Sequence, residues 1–133
     1  MRRTLQLTGI AIALLGLFLA VNRATAQDPA QVNPTSVHVA LDNAQVRVLE
    51  STLAPGQKEK LHSHPACVLY VVSGGKIRNH LADGSSSEAE VKAGDVVYRA
   101  PVTHWAENIG STTVHSIIVE LKSAGAGAPA ATP

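Results

Sequence analysis

The sequence predicts an all-β domain, an antiparallel sandwich or barrel. Three observations carry that expectation. Apolar residues from Val37 onward alternate with polar ones or come in short bursts. Turn formers (Asp42-Asn43, Pro55-Gly56, Gly74-Gly75, Asp83-Gly84, Ala93-Gly94) separate them at close intervals. Downstream of residue 26, no segment holds a helical repeat long enough to make a capped amphipathic helix. Many short strands joined by turns favour sheet packed on sheet over alternating strands and helices.

The first strand is predicted over 37–41, with Val37, Val39 and Leu41 on one face and Asp42-Asn43 ending it. A second opens with Val46 and Val48 and runs to 53, before Pro55-Gly56. Residues 68–72 form an apolar strand closed by Gly74-Gly75, and 76–81 follow until Asp83-Gly84. Glu88 and Glu90 alternate with Ala89 and Val91, the pattern of a strand with one solvated face, so these carboxylates are not assigned chemistry. Strands at 95–98, 104–107 and 113–121 complete the series.

The ends of the chain read differently. Arg2 and Arg3 precede an apolar run at 10–21, and Ala24-Thr25-Ala26 closes it with a small-x-small pattern. Residues 1–26 are therefore expected to be a secretory signal peptide cut after Ala26, with the bacterial periplasm as destination. The run is short for a transmembrane span, so no stable membrane insertion is expected after cleavage. Residues 27–35 read as a flexible N-terminal segment, 36–122 as the single folded domain, and 123–133 as a disordered Ala/Gly/Pro tail.

Charge follows the same division. Removing Arg2, Arg3 and Arg23 from 11 basic residues, against 10 acidic ones, leaves a formal charge of −2 with histidines neutral. No basic cluster or aromatic stripe remains for nucleic acid. Cys67, the only cysteine, rules out a disulfide scaffold within one chain. A small core without such staples gains from a bound metal or from pairing between subunits.

The main functional clue is histidine spacing. His62 and His64 flank Ser63, so in an extended strand both rings point to one side. A chain that folds back can bring His104 against them. Three neutral imidazoles around one point suit a divalent first-row metal, with positions left for water or substrate.

These positions resemble the small single-domain cupins. The first family motif runs from Gly56 through His62, Ser63 and His64 to Gly74-Gly75; the second runs from Gly94 through Pro101 and His104 to Asn108. The resemblance covers the whole folded domain and implies a double-stranded β-helix, the cupin jelly-roll barrel. It also implies His62, His64 and His104 as metal ligands. The family's acidic ligand falls at Cys67, counting back from Gly74, or at Val68, counting back from Gly75. Neither is a carboxylate, and Pro101-Val102-Thr103 stands where a glycine usually precedes the last histidine.

Three site compositions follow: three histidines alone, a fourth ligand from Cys67, or a carboxylate from elsewhere. Glu50 is the first candidate for the last, because it shares strand parity with Val46 and Val48. Cys67 also reads as a small buried hydrophobe beside the site. Tyr70 and Tyr98 are candidates for the cavity wall, the core or an interface. His115 shares parity with Ile117, Val119 and Leu121 and so reads as an inward core or interface histidine. Trp105 and Glu107 alternate away from His104, while His38 and His80 read as surface residues.

The resemblance implies a metal-binding protein, with an Fe(II)-dependent dioxygenase-like enzyme acting on a small organic molecule as the leading expectation. Zn, Mn or Ni in the same site would suit an isomerase or lyase. The contrasting expectation is a noncatalytic periplasmic protein that captures a metal or small metabolite. A homodimer is the expected assembly.

Overall fold

The computed structural model describes residues 27–123. The signal-peptide reading of 1–26, and the tail reading beyond Ser123, lie outside the described residues. Between these limits the chain forms one short helix, α1 (Pro29–Val32), and nine strands: β1 (Val37–Asp42), β2 (Val46–Leu53), β3 (His62–His64), β4 (Cys67–Ser73), β5 (Gly75–Leu81), β6 (Ser86–Val91), β7 (Val96–Arg99), β8 (Val102–Asn108) and β9 (Val114–Leu121). Among the described residues, no helix is long and apolar enough to cross a membrane.

The strands form two antiparallel sheets, one in the order β1-β2-β9-β4-β7 and the other in the order β3-β8-β5-β6. Strands far apart in sequence lie side by side, and the two sheets close on each other as a double-stranded β-helix. Leu49, Cys67, Ile118 and Val37 make one buried cluster, while Leu53 and Val114 meet Ile77 of the second sheet in another. Two glycines are required by this geometry. A Cβ on Gly74 would lie 2.2 Å from the Val91 carbonyl oxygen, and Gly94 turns the chain into β7 at φ 92°.

The segment 27–35 is not a flexible lead-in. Asp28 caps α1 by accepting from the Ala30 and Gln31 N–H groups, and Pro29 occupies the first turn, buried. Asp28-Pro29 is itself a helix-start signal. Asn33 then clamps the approach to β3: its Oδ1 accepts from the Lys60 N–H at 2.7 Å, and its Nδ2 donates to the Lys60 carbonyl.

The larger correction concerns which faces turn inward. On β9 the buried side chains are Val114, Ser116, Ile118 and Glu120; His115, Ile117, Val119 and Leu121 lie on the opposite face. On β2, Leu49 and Leu53 are buried, and Glu50 faces out to bond His115 at 2.7 Å. Within β1 only Val37 is buried, and a bulge between Val39 and Leu41 resets the register. The reason is physical. Both faces of the five-stranded sheet are rich in aliphatic side chains, so alternation of hydrophobicity along one strand does not say which face is the core.

Candidate metal centre

The three histidines meet because of one short ladder. β3 pairs with β8 so that His62 and His104 are direct cross-strand partners, and His64 projects from the same face as His62. All three rings are buried, and their ligand nitrogens lie within 4.8 Å of one another.

Second-sphere contacts orient two of the rings. The Lys60 carbonyl accepts from His62 Nδ1–H at 2.8 Å, and Glu120 accepts from His64 Nδ1–H at 2.7 Å. Both protons therefore sit on Nδ1, which leaves two bare Nε2 atoms facing each other 3.0 Å apart. Two lone pairs at that separation repel unless a cation lies between them. Nε2 of His104 is buried and has no hydrogen-bond partner among the described residues. This donor set fits a divalent metal, and its carbonyl and carboxylate supports are of the kind that hold metal-binding histidines in place.

Burial also favours the neutral form of His62 and His104. It lowers the His62 pKa below its ordinary value, and burial with the neighbouring His62 and His64 takes His104 down to about 3. Neutral imidazole is the form that binds metal.

Glu120 belongs to a longer chain of charges. Arg47 lies 3.6 Å from its Oε2 and forms two hydrogen bonds to Asp28, which holds the Asp28 carboxyl below the usual carboxylate range. The capped helix α1 is thereby tied through Arg47 and Glu120 to His64. This link explains a buried acid on a strand of aliphatic residues.

The other candidate residues separate clearly. Cys67 is buried and lines the chamber, yet it is not part of the histidine cluster; burial pushes its thiol pKa up, opposing the thiolate that a metal needs. Glu50, with 46% of its side chain exposed, is on the outer face and does not reach the centre. Tyr70 and Tyr98 are 47% and 65% exposed on that same outer face, so neither lines the cavity. Trp105 turns away from the site and stacks on His80 with ring centroids 3.6 Å apart, and Glu107 pairs with Lys58.

Two chamber residues escape strand parity. Glu59 precedes β3 in an irregular stretch; its side chain is only 7% exposed, accepts from the Ala106 N–H, and lies 3.9 Å from His62 Nε2. Burial raises its pKa. An offset of three from His62 would put it on the far side of a regular strand, but the break at 59–61 brings it inward. Arg99, at the end of β7, also lines the chamber.

The chamber has a volume of about 90 Å³ and is walled by Leu69, Val71, Ile77 and Ile118 beside the histidines. An open recess of about 390 Å³ adjoins it and shares Asn79, Arg99 and His104.

No protein-family model and no curated protein matches the chain by sequence. Solved structures do match. A cupin domain from Bordetella pertussis Tohama I superposes with a TM-score of 0.60 at 25% identity, over 65% of this chain and 92% of that one. The chain has a cupin fold. A cupin 2 conserved barrel domain protein from Salinispora arenicola is similar over 91% of this chain and 92% of its own, at 16% identity and a TM-score of 0.52. An RmlC-like cupin family protein from Methanocaldococcus jannaschii, described with a double-stranded β-helix fold, matches at 21% identity and a TM-score of 0.54. It is covered over 77% of its length by 64% of this chain. Set in this cupin barrel, the three buried histidines could hold a metal ion.

Proposed function

We propose that this cupin is an exported metal-dependent enzyme that acts on a small organic molecule, with Fe(II) at His62, His64 and His104 and a dioxygenase-like reaction. The observation that carries the proposal is the buried, unpartnered Nε2 of His104 beside the facing Nε2 atoms of His62 and His64 in a largely apolar chamber. Fe(II) in such a site supplies adjacent open positions and the electrons for oxygen chemistry. The chain's own part is to bring three imidazoles together, to orient His62 and His64, and to shield the reacting atoms from bulk water. The chamber is smaller than the ~300 Å³ at which organic-ligand pockets commonly begin, which favours a small substrate or one that extends into the recess.

Glu59 favours a second reading. A carboxyl with a raised pKa beside the histidines is suited to moving a proton, as isomerase or lyase chemistry with Zn, Mn or Ni requires. Metal analysis of protein expressed with residues 1–26, purified without chelator or histidine tag, tests both. Near-stoichiometric iron with oxygen uptake in a substrate screen is the expected result. Zinc, manganese or nickel with oxygen-independent turnover supports the second reading, and bound metal without turnover supports capture. The same preparation reads the N-terminus of the periplasmic fraction, which is expected at Gln27.

Pairing as a homodimer is part of the proposal. The outer face of the five-stranded sheet exposes Leu41, Tyr70, Val72, Val96 and Tyr98, an apolar surface of the kind that marks protein contacts. Its central charges, Glu50 and His115, already satisfy each other, so it offers little to a charged partner and suits a second copy of itself. Light scattering should give a dimer, and Val96→Asp with Tyr98→Glu should give a folded monomer. A wild-type monomer at high concentration would rule this assembly out.

A further inference from the structure

We propose that Arg99 anchors a carboxylate of the substrate, which makes the ligand class a small organic carboxylate. This deepens the proposed function and takes from it that the chamber is the working site. Arg99 pairs across the sheet with Cys67, whose side chain is buried in the chamber wall, so the arginine belongs to the inward register of β7. It is half-buried and lines both the chamber and the outer recess, at the junction that it shares with Asn79 and His104.

Its electrostatic situation is unlike that of the other two described arginines. Arg47 is paired with Asp28, and Arg78 with Glu88. Among the described residues, no carboxylate lies within ion-pair distance of Arg99. A partly desolvated guanidinium without a partner is unfavourable, and an incoming anion relieves it. The positive charge bears on His104, Glu59 and Cys67, all chamber residues. A guanidinium presents a planar fork that matches a carboxylate with two parallel hydrogen bonds.

The surroundings limit the anion further. Beside the histidines, the ionisable side chains lining the chamber are Arg99, Glu59 and Cys67, so Arg99 is its one guanidinium. A carboxylate held by Arg99 would direct the rest of its atoms past His104 toward the histidine cluster, where the apolar walls strengthen the contact by excluding water. The apolar walls beyond Arg99 suit the organic remainder of a carboxylate better than the further oxygens of a phosphate.

The test is calorimetric titration of the full chain, metal-loaded and metal-free, with acetate, pyruvate and benzoate, each against its neutral amide, and with inorganic phosphate. At least one carboxylate should bind about tenfold more tightly than its amide, the scale of a charge-assisted hydrogen-bonded pair. Arg99→Gln should reduce that preference to within about twofold, and Arg99→Lys should retain part of it. Metal content and circular dichroism of both variants should match wild type. Equal binding of acid and amide by the wild type, an undiminished preference in Arg99→Gln, or tighter binding of phosphate than of any carboxylate would each overturn the proposal. The arms also separate the two readings. Metal uptake without a carboxylate preference sinks the Arg99 assignment alone, whereas a preference in protein that takes up no metal sinks the metal reading alone.

Discussion

His104→Gln is expected to remove tight metal binding, lowering affinity by about a hundredfold or more, because it replaces the ring whose Nε2 has no other partner. The same variant should change how the metal-free protein responds to acid. In the unfolded chain this imidazole titrates at its ordinary value near 6.5, whereas burial and the neighbouring rings bring it to about 3 in the fold. Between those values the unfolded state binds the extra proton, so stability falls as pH drops below about 6.5, with a limiting slope of about 1.4 kcal/mol per pH unit from this one group. Glutamine carries no such proton, and its acid limb should be shallower. Urea unfolding between pH 7 and 5, with and without metal, reads both effects. Unchanged metal affinity in the variant would remove His104 from the ligand set; an unchanged slope would mean that its ring is solvated in the metal-free fold.

Glu120→Ala should be the most destabilising single change at the site. It leaves His64 Nδ1–H a buried donor without its acceptor, which typically costs about 1–3 kcal/mol, and removes the buried carboxylate that Arg47 faces while Arg47 keeps its two hydrogen bonds to Asp28. Metal affinity should also fall, by about ten- to a hundredfold, because the His64 ring loses the contact that sets its tautomer and angle. Glu120→Gln is the informative partner. Its amide oxygen can still accept from Nδ1–H, so much of the orientation should survive while the negative charge facing Arg47 does not. Denaturation of the metal-free proteins and metal titration of each separate the two contributions. Wild-type affinity in Glu120→Ala would show that strand geometry alone positions His64.

Most strand positions follow from local pattern. Turn formers and short apolar bursts place β1, β2, β4, β5 and β9 almost where they lie, and the His62-Ser63-His64 spacing sets two rings on one face. Those features depend on neighbours in the chain, where backbone preference and side-chain alternation act directly. The histidine cluster was legible for the same reason, since motif spacing marks His104 as well.

The choice of inner and outer face was not legible. Ile117, Val119 and Leu121 form a more apolar stripe than Ser116, Ile118 and Glu120, yet the second set faces the core. Glu50 and Tyr98 look like site residues by parity or proximity, and both point outward. The inner face accepts Glu120 and Arg47 because partners from other elements satisfy them there: His64 from β3, and Asp28 ahead of α1. Glu59 enters the chamber through a break in regular strand geometry, and Arg99 through a pairing with Cys67. Local sequence thus determines strands, turns and the placing of the first two histidines on one face. Long-range pairing alone assigns the buried charges, because a polar group's place inside a barrel depends on partners that the neighbouring residues do not contain.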